Sequence, residues 1–170
     1  MIFFKSKIIF IHIPRTGGST IENFLWKYEG QNIRSEKNLW MGFTSKYSNQ
    51  FQTGGLQHLT AEYVREVYPK EMDAFFKFSF VRNPFSRIVS QYLYTINHRK
   101  DLQEYLSISN NTSYESYLEK IKNIDHVQWM PSSKFLLDKD NNLNVNFIGK
   151  QENFTSDLLK VLKRVGINYD

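Results

Sequence analysis

The sequence predicts an α/β fold built on a central, mainly parallel sheet, and three stretches carry that prediction. Ile8, Ile9, Phe10, Ile11 and Ile13 form a nearly unbroken apolar run rich in β-branched residues, the pattern of a strand buried on both faces, and Pro14 closes it. In Phe75–Val81, Phe76, Phe78 and Phe80 alternate with Lys77 and Ser79, which gives a second strand with one aromatic face. Leu143–Gly149 alternates apolar and polar residues and reads as a third. Each of the three runs into a helical pattern, and strand–turn–helix repeats suit parallel strands, which need crossover connections.

In the first unit, Ile21, Phe24, Leu25 and Tyr28 fall at i, i+3, i+4 and i+7, the stripe of an amphipathic helix, with Gly30 placed to end it. Ser19 and Glu22 have capping-box spacing, and Thr16 is an equal candidate for the cap. Strand, tight turn and helix together aim unpaired N–H groups and the positive end of a helix dipole at one point, which is where an anion sits. Gly17 and Gly18 let the main chain approach a ligand closely, while Arg15 and the hydroxyls of Thr16, Ser19 and Thr20 add a cation and further donors. The stretch therefore predicts phosphate or sulfate binding. It is not a Walker A loop, which needs four residues between its glycines and then Gly-Lys-Ser/Thr.

The second unit repeats the logic. Arg82 ends the strand, Asn83 is a cap, Pro84 takes the first helical position where its missing N–H costs nothing, and the helix runs to about Tyr94. Ser86 and Ser90, four apart, share a helix face, so a phosphate at the helix start meets a guanidinium and a hydroxyl together. Arg87 reads as a surface residue.

Between the units the pattern dissolves over residues 31–55, where isolated aromatics such as Trp40, Phe43, Tyr47 and Phe51 sit among polar residues; a substrate loop and a plain surface excursion both fit. His58 lies on a loop just ahead of a helix capped by Thr60 and stopped by Pro69. Farther on, Tyr114, Tyr117, Leu118 and Ile121 make another stripe behind a Thr112-x-x-Glu115 capping box, and the segment His126-Val-Gln-Trp-Met-Pro131 follows. The last helix is read with Thr155 as cap, Leu158, Leu159, Leu162 and Val165 inward, and Gly166 at its end.

With 170 residues, 41% of them hydrophobic and 16% aromatic, the chain suits a single globular domain over 1–170. The absence of cysteine excludes disulfides and thiolate chemistry, and no apolar run reaches membrane-span length, so a soluble cytoplasmic protein is expected. A net charge of +5 favours an anionic partner. The basic residues are scattered, so a nucleotide accounts for the charge better than a nucleic acid does.

Three segments also resemble one family. His12-Ile-Pro-Arg-Thr-Gly-Gly-Ser-Thr20 is similar to the 5′-phosphosulfate loop of sulfotransferases that use 3′-phosphoadenosine 5′-phosphosulfate (PAPS), in the carbohydrate-sulfotransferase branch. Val81-Arg-Asn-Pro-Phe-Ser-Arg-Ile-Val-Ser-Gln-Tyr92 resembles their 3′-phosphate motif, and Phe147-Ile-Gly-Lys-Gln-Glu-Asn-Phe154 resembles a third signature. The resemblance implies a P-loop-like three-layer αβα domain that transfers a sulfuryl group from PAPS to a hydroxyl, a sugar in this branch, and releases 3′-phosphoadenosine 5′-phosphate (PAP), with no metal. It implies His58 as catalytic base, with His126 second in line. Arg15 acts at the reacting end, Thr16, Gly17, Gly18, Ser19 and Thr20 lie with it around the 5′ end, and Arg82 and Ser90 hold the 3′-phosphate. Lysine is commoner than arginine at the place of Arg15, so the resemblance predicts that lysine would serve there. The alternatives are a non-catalytic relative that binds PAP or PAPS and a nucleotide-dependent kinase with an atypical P-loop.

Overall fold

Four strands stand side by side in the order β1 (Ile2–Phe3), β2 (Ile8–Ile11), β3 (Phe76–Val81) and β4 (Phe147–Lys150). The structure, a computed structural model, describes residues 1–30 and 58–168; the pattern-free stretch 31–55 lies outside the described residues. β2, β3 and β4 are mutually parallel, with Phe10 opposite Phe78 and Phe80 opposite Gly149, whereas β1 pairs antiparallel with β2. The fold is thus α/β with a mostly parallel sheet. At two residues β1 is too short to show any periodicity, so no local pattern announces it.

Among the described residues, α1 (Gly18–Tyr28), α2 (Ala61–Val67) and α3 (Pro69–Ala74) lie between β2 and β3. Then α4 (Pro84–His98), α5 (Lys100–Leu106), α6 (Tyr114–Ile121) and α7 (Ser132–Leu136) lead to β4. A 3₁₀ turn (Gln151–Asn153) and α8 (Phe154–Arg164) follow. None of these helices is long and apolar enough to cross a membrane.

One face of the sheet takes α1 and α8. Phe3 meets Trp26 with ring centroids 4.6 Å apart, Phe10 stacks on Phe78 at 5.0 Å, and Phe80 meets Phe154 at 5.2 Å. The other face is also closed, although Lys77 and Ser79 lie on it. Ser79 is fully buried and donates to the Ile11 carbonyl at 2.7 Å, and the Lys77 amine donates to the Met72 carbonyl at 2.7 Å. Polar side chains go inside here because backbone acceptors are waiting for them.

Several ends differ from the sequence-based expectations, each for a local reason. The N-cap of α1 is Gly17, at a left-handed φ of 87°, and no side chain caps the helix. The Thr16 hydroxyl donates instead to the Ile13 carbonyl at 2.8 Å, and Glu22 is turned inward. Pro69 does not end the helical region but opens α3 at its first position. Asn83 does cap α4, accepting from Phe85 and Ser86 N–H at 3.0 and 3.2 Å, and the helix continues past Tyr94 to His98. Ser113 rather than Thr112 caps α6; its hydroxyl accepts from Ser116 N–H, while that of Thr112 is taken by Ser109 N–H. α8 starts at Phe154, leaving Thr155 inside it. β4 begins later than predicted, since Leu143 first bridges back to Leu137 and the chain joins β3 only where Asn146 exchanges bonds with Lys77.

Candidate functional site

The loop after β2 is wound tightly. Arg15 has φ 66° and Gly17 φ 87°, so two of three successive residues are left-handed. For a non-glycine residue this costs on the order of 1 kcal/mol and persists only where neighbours hold it. Three contacts do so: Thr16 on Ile13, the Arg87 Nε donating to the Pro14 carbonyl at 3.0 Å, and an Arg82 Nη1 donating to the Arg15 carbonyl at 3.3 Å. The glycines answer to packing from below. A Cβ on Gly18 would lie 2.1 Å from His12 Cδ2, and one on Gly17 would lie 2.7 Å from the Phe154 ring. Their absent side chains thus seat α1 against the sheet, a demand separate from approach to a ligand. Ser19 and Thr20 are exposed, and the N–H groups of Gly18 and Ser19, in the first turn of α1, have no intrahelical acceptor. Thr16 is buried and its hydroxyl is already used.

Arg15 extends from this loop onto α4. Its Nε donates to the Ser90 hydroxyl at 3.2 Å, and its guanidinium carbon lies 4.1 Å from the centre of the Tyr94 ring. Since Ser90 accepts from Arg15, its own hydrogen stays available to donate. Burial pushes the Arg15 guanidinium below its ordinary pKa, with Tyr94 opposing that shift and Arg82 adding to it. Arg82 brings a further donor, because its buried Nε has no hydrogen-bond partner. Arg15, Arg82 and Ser90 thus converge on one cleft of about 580 Å³, lined also by Ser86, Tyr94, Asn97 and His98 and walled by the exposed apolar row Phe85, Val89 and Leu93. No carboxylate lines it among the described residues. Sequence reasoning assigned Arg15 to one end of a ligand and Arg82 with Ser90 to the other; the three are one cluster. It missed Tyr94 and His98, although the four-residue spacing that pairs Ser86 with Ser90 continues through 94 and 98.

Arg87 is a correction. It is not a surface residue but a buried one, bonded to the carbonyls of Pro14, Met130 (2.9 Å) and Gln128 (3.5 Å), and burial lowers its pKa to about 10. It ties the Arg15 loop to the segment after α6. No local pattern in the sequence marks which side of a helix will meet such carbonyls.

The histidines differ in what their rings can offer. His58 Nδ1 is 3.0 Å from the His12 carbonyl, which only accepts, so Nδ1 carries the hydrogen and Nε2 keeps the lone pair. Burial, then the neighbouring His12, hold His58 well below the usual 6.5, so its ring is neutral at neutral pH. His58 is not among the residues lining the cleft; it reaches the loop through His12. His126 has the opposite tautomer, since its Nδ1 accepts from Gln128 N–H at 3.1 Å. Burial lowers its pKa to about 4, and it packs between Tyr105 and Trp129. Among the described residues no group of three or more acidic or histidine side chains is placed to hold a metal.

Comparison with known proteins adds three findings. A family model described as "Sulfotransferase family" matches residues 1–170. An uncharacterized protein of Archaeoglobus fulgidus is 29% identical over 101 residues, which cover 59% of this chain and 76% of the relative. No solved structure matches.

Proposed function

The chain belongs to the sulfotransferase family, and we propose that it moves a sulfuryl group from PAPS to a hydroxyl acceptor, a carbohydrate by its likeness to that branch, with His58 as general base. The observation that carries this reading is the convergence of Arg15, Arg82 and Ser90 on a cleft that no carboxylate lines among the described residues, beside the start of α1. The residues fit a doubly phosphorylated nucleotide. Arg82 has an orphaned buried donor, Ser90 has a hydrogen to give, and α1 presents unpaired N–H groups at a second point.

In this reading Arg82 and Ser90 grip the 3′-phosphate, and the N–H groups of the 17–20 loop meet the 5′ end. Arg15 stands between the two, leaving the loop and leaning on Ser90. PAPS supplies an activated sulfuryl group whose transfer leaves PAP. The His58 Nε2 takes the proton of the acceptor hydroxyl as that oxygen bonds to sulfur, while Arg15 and the loop stabilise the charge left on the departing phosphate oxygen as its bond to sulfur breaks. Protein cations and dipoles handle the charge, and no metal has a part. His126 is set aside as base because its Nδ1 lone pair is engaged.

We read the architecture as a P-loop-like three-layer αβα domain over 1–170, since α1 and α8 cover one face of the sheet and the buried Lys77 and Ser79 call for cover on the other. A cytoplasmic location belongs to the same proposal, in keeping with a cysteine-free sequence.

The test is transfer of labelled sulfate from PAPS across a panel of saccharide, lipid and phenolic hydroxyl acceptors. Turnover with a sugar is expected. His58→Ala should lower turnover by about 10²-fold or more with PAP affinity nearly intact. With His58 held well below 6.5, the acidic limb of the rate profile should fall below pH 6.5. PAP binding with no turnover on any acceptor would identify a non-catalytic relative, and a preference for ATP with Mg²⁺ would identify a kinase.

A further inference from the structure

Beneath the glycine loop lies a pair that this mechanism does not use. Glu22 in α1 is 1% exposed and His12, just past β2, is 4% exposed; His12 Nδ1 and Glu22 Oε1 are 2.9 Å apart. A carboxylate buried there alone would cost several kcal/mol, so the two residues stand as one unit.

The His12 ring makes two further contacts. Its Cδ2–Nε2 edge fills the space under Gly18, where a Cβ would fall 2.1 Å from Cδ2 and 2.2 Å from Nε2. It also meets the His58 ring, with centroids 4.5 Å apart and planes at 70°. The carbonyl of the same residue accepts from His58 Nδ1. A pair serving stability alone needs only the bond between strand and helix. Here one ring also supports the first residue of α1 and the side of the candidate base.

We propose that Glu22 and His12 are positioning residues that set the seat of α1 and the orientation of His58 together. Glu22 fixes the His12 ring, the ring carries Gly18 above it and His58 beside it, and the His12 carbonyl keeps the His58 hydrogen on Nδ1. The lone pair is thereby held on Nε2. The functional consequence rests on the reading of His58 as base; the geometry does not.

The experiment is two-bond ¹H–¹⁵N correlation on the full chain labelled at its four histidines, assigned by single substitutions, at constant neutral pH. Wild type should show His58 as the pure Nδ1–H tautomer. Glu22→Gln still offers His12 an oxygen and should preserve that signature. Glu22→Leu offers none and should give a mixture of the two tautomers in folded protein. His12→Phe combined with Glu22→Gln keeps the ring volume and the carbonyl, loses the bond and leaves no carboxylate buried alone; it should give the same mixture, and it decides the matter if Glu22→Leu does not fold. A pure Nδ1–H signature in the folded variants lacking that bond would overturn the inference. Neither outcome involves PAPS or an acceptor, so failure here leaves the transfer reading standing, and failure of that reading leaves this one.

Discussion

Arg15 is where single residues matter most. Its backbone is left-handed, its Nε is bonded to Ser90, and its planar head lies on Tyr94. A lysine has no Nε hydrogen at that height and no plane to lay on the ring, so it would leave Ser90 without its donor. These contacts argue for the opposite of the sequence-based expectation that lysine would serve. Arg15→Lys should weaken PAP binding by about tenfold, the equivalent of one charge-assisted hydrogen bond partly lost. Calorimetric titration of the variant checks this, and an unchanged affinity would mean that a point charge suffices. The residue types of the candidate site were legible because anion chemistry limits them to cations and hydroxyls near helix starts. What Arg87 and His12 touch was not legible, because their partners are a backbone carbonyl and a buried glutamate reached through tertiary packing.

At the scale of elements, the long apolar runs and Asn83-Pro84 were readable since their signals are local. The cap of α1 was not, because Thr16 and Glu22 are drawn off by Ile13 and His12, and β4 was displaced by the Leu137–Leu143 bridge. The segment after α6 depends on α4 through Arg87 and carries His126 neutral and buried. Its folded pKa of about 4 lies below the ordinary 6.5, so unfolding takes up a proton between those values. This contribution is complete above about pH 6.5 and is lost as pH falls toward 4. Thermal midpoints should drop over that window, and His126→Gln should flatten the drop; an unaltered slope would show that another group governs it.

For the whole molecule, the decisive fact is that the two strand–turn–helix units are adjacent. β2 and β3 are parallel neighbours with Ile11 opposite Ser79, so Arg15, four residues past one, and Arg82, three past the other, emerge at the same edge of the sheet. Ligands of open α/β sheets bind outside the carboxyl ends of the strands, and this cleft opens there. The sequence contained both units but not their adjacency, since nothing local in either strand names its neighbour. The exposed row Phe85, Val89 and Leu93 along the cleft was likewise invisible before α4 was placed.

Calorimetry of the full chain with PAP and with AMP, on wild type and on Arg82→Ala, tests the central claim most directly. The account predicts that wild type prefers PAP by about tenfold or more, the scale of a phosphate held by charge-assisted bonds, and that the variant loses the preference while still binding AMP. Equal affinity of the wild type for the two nucleotides would contradict it.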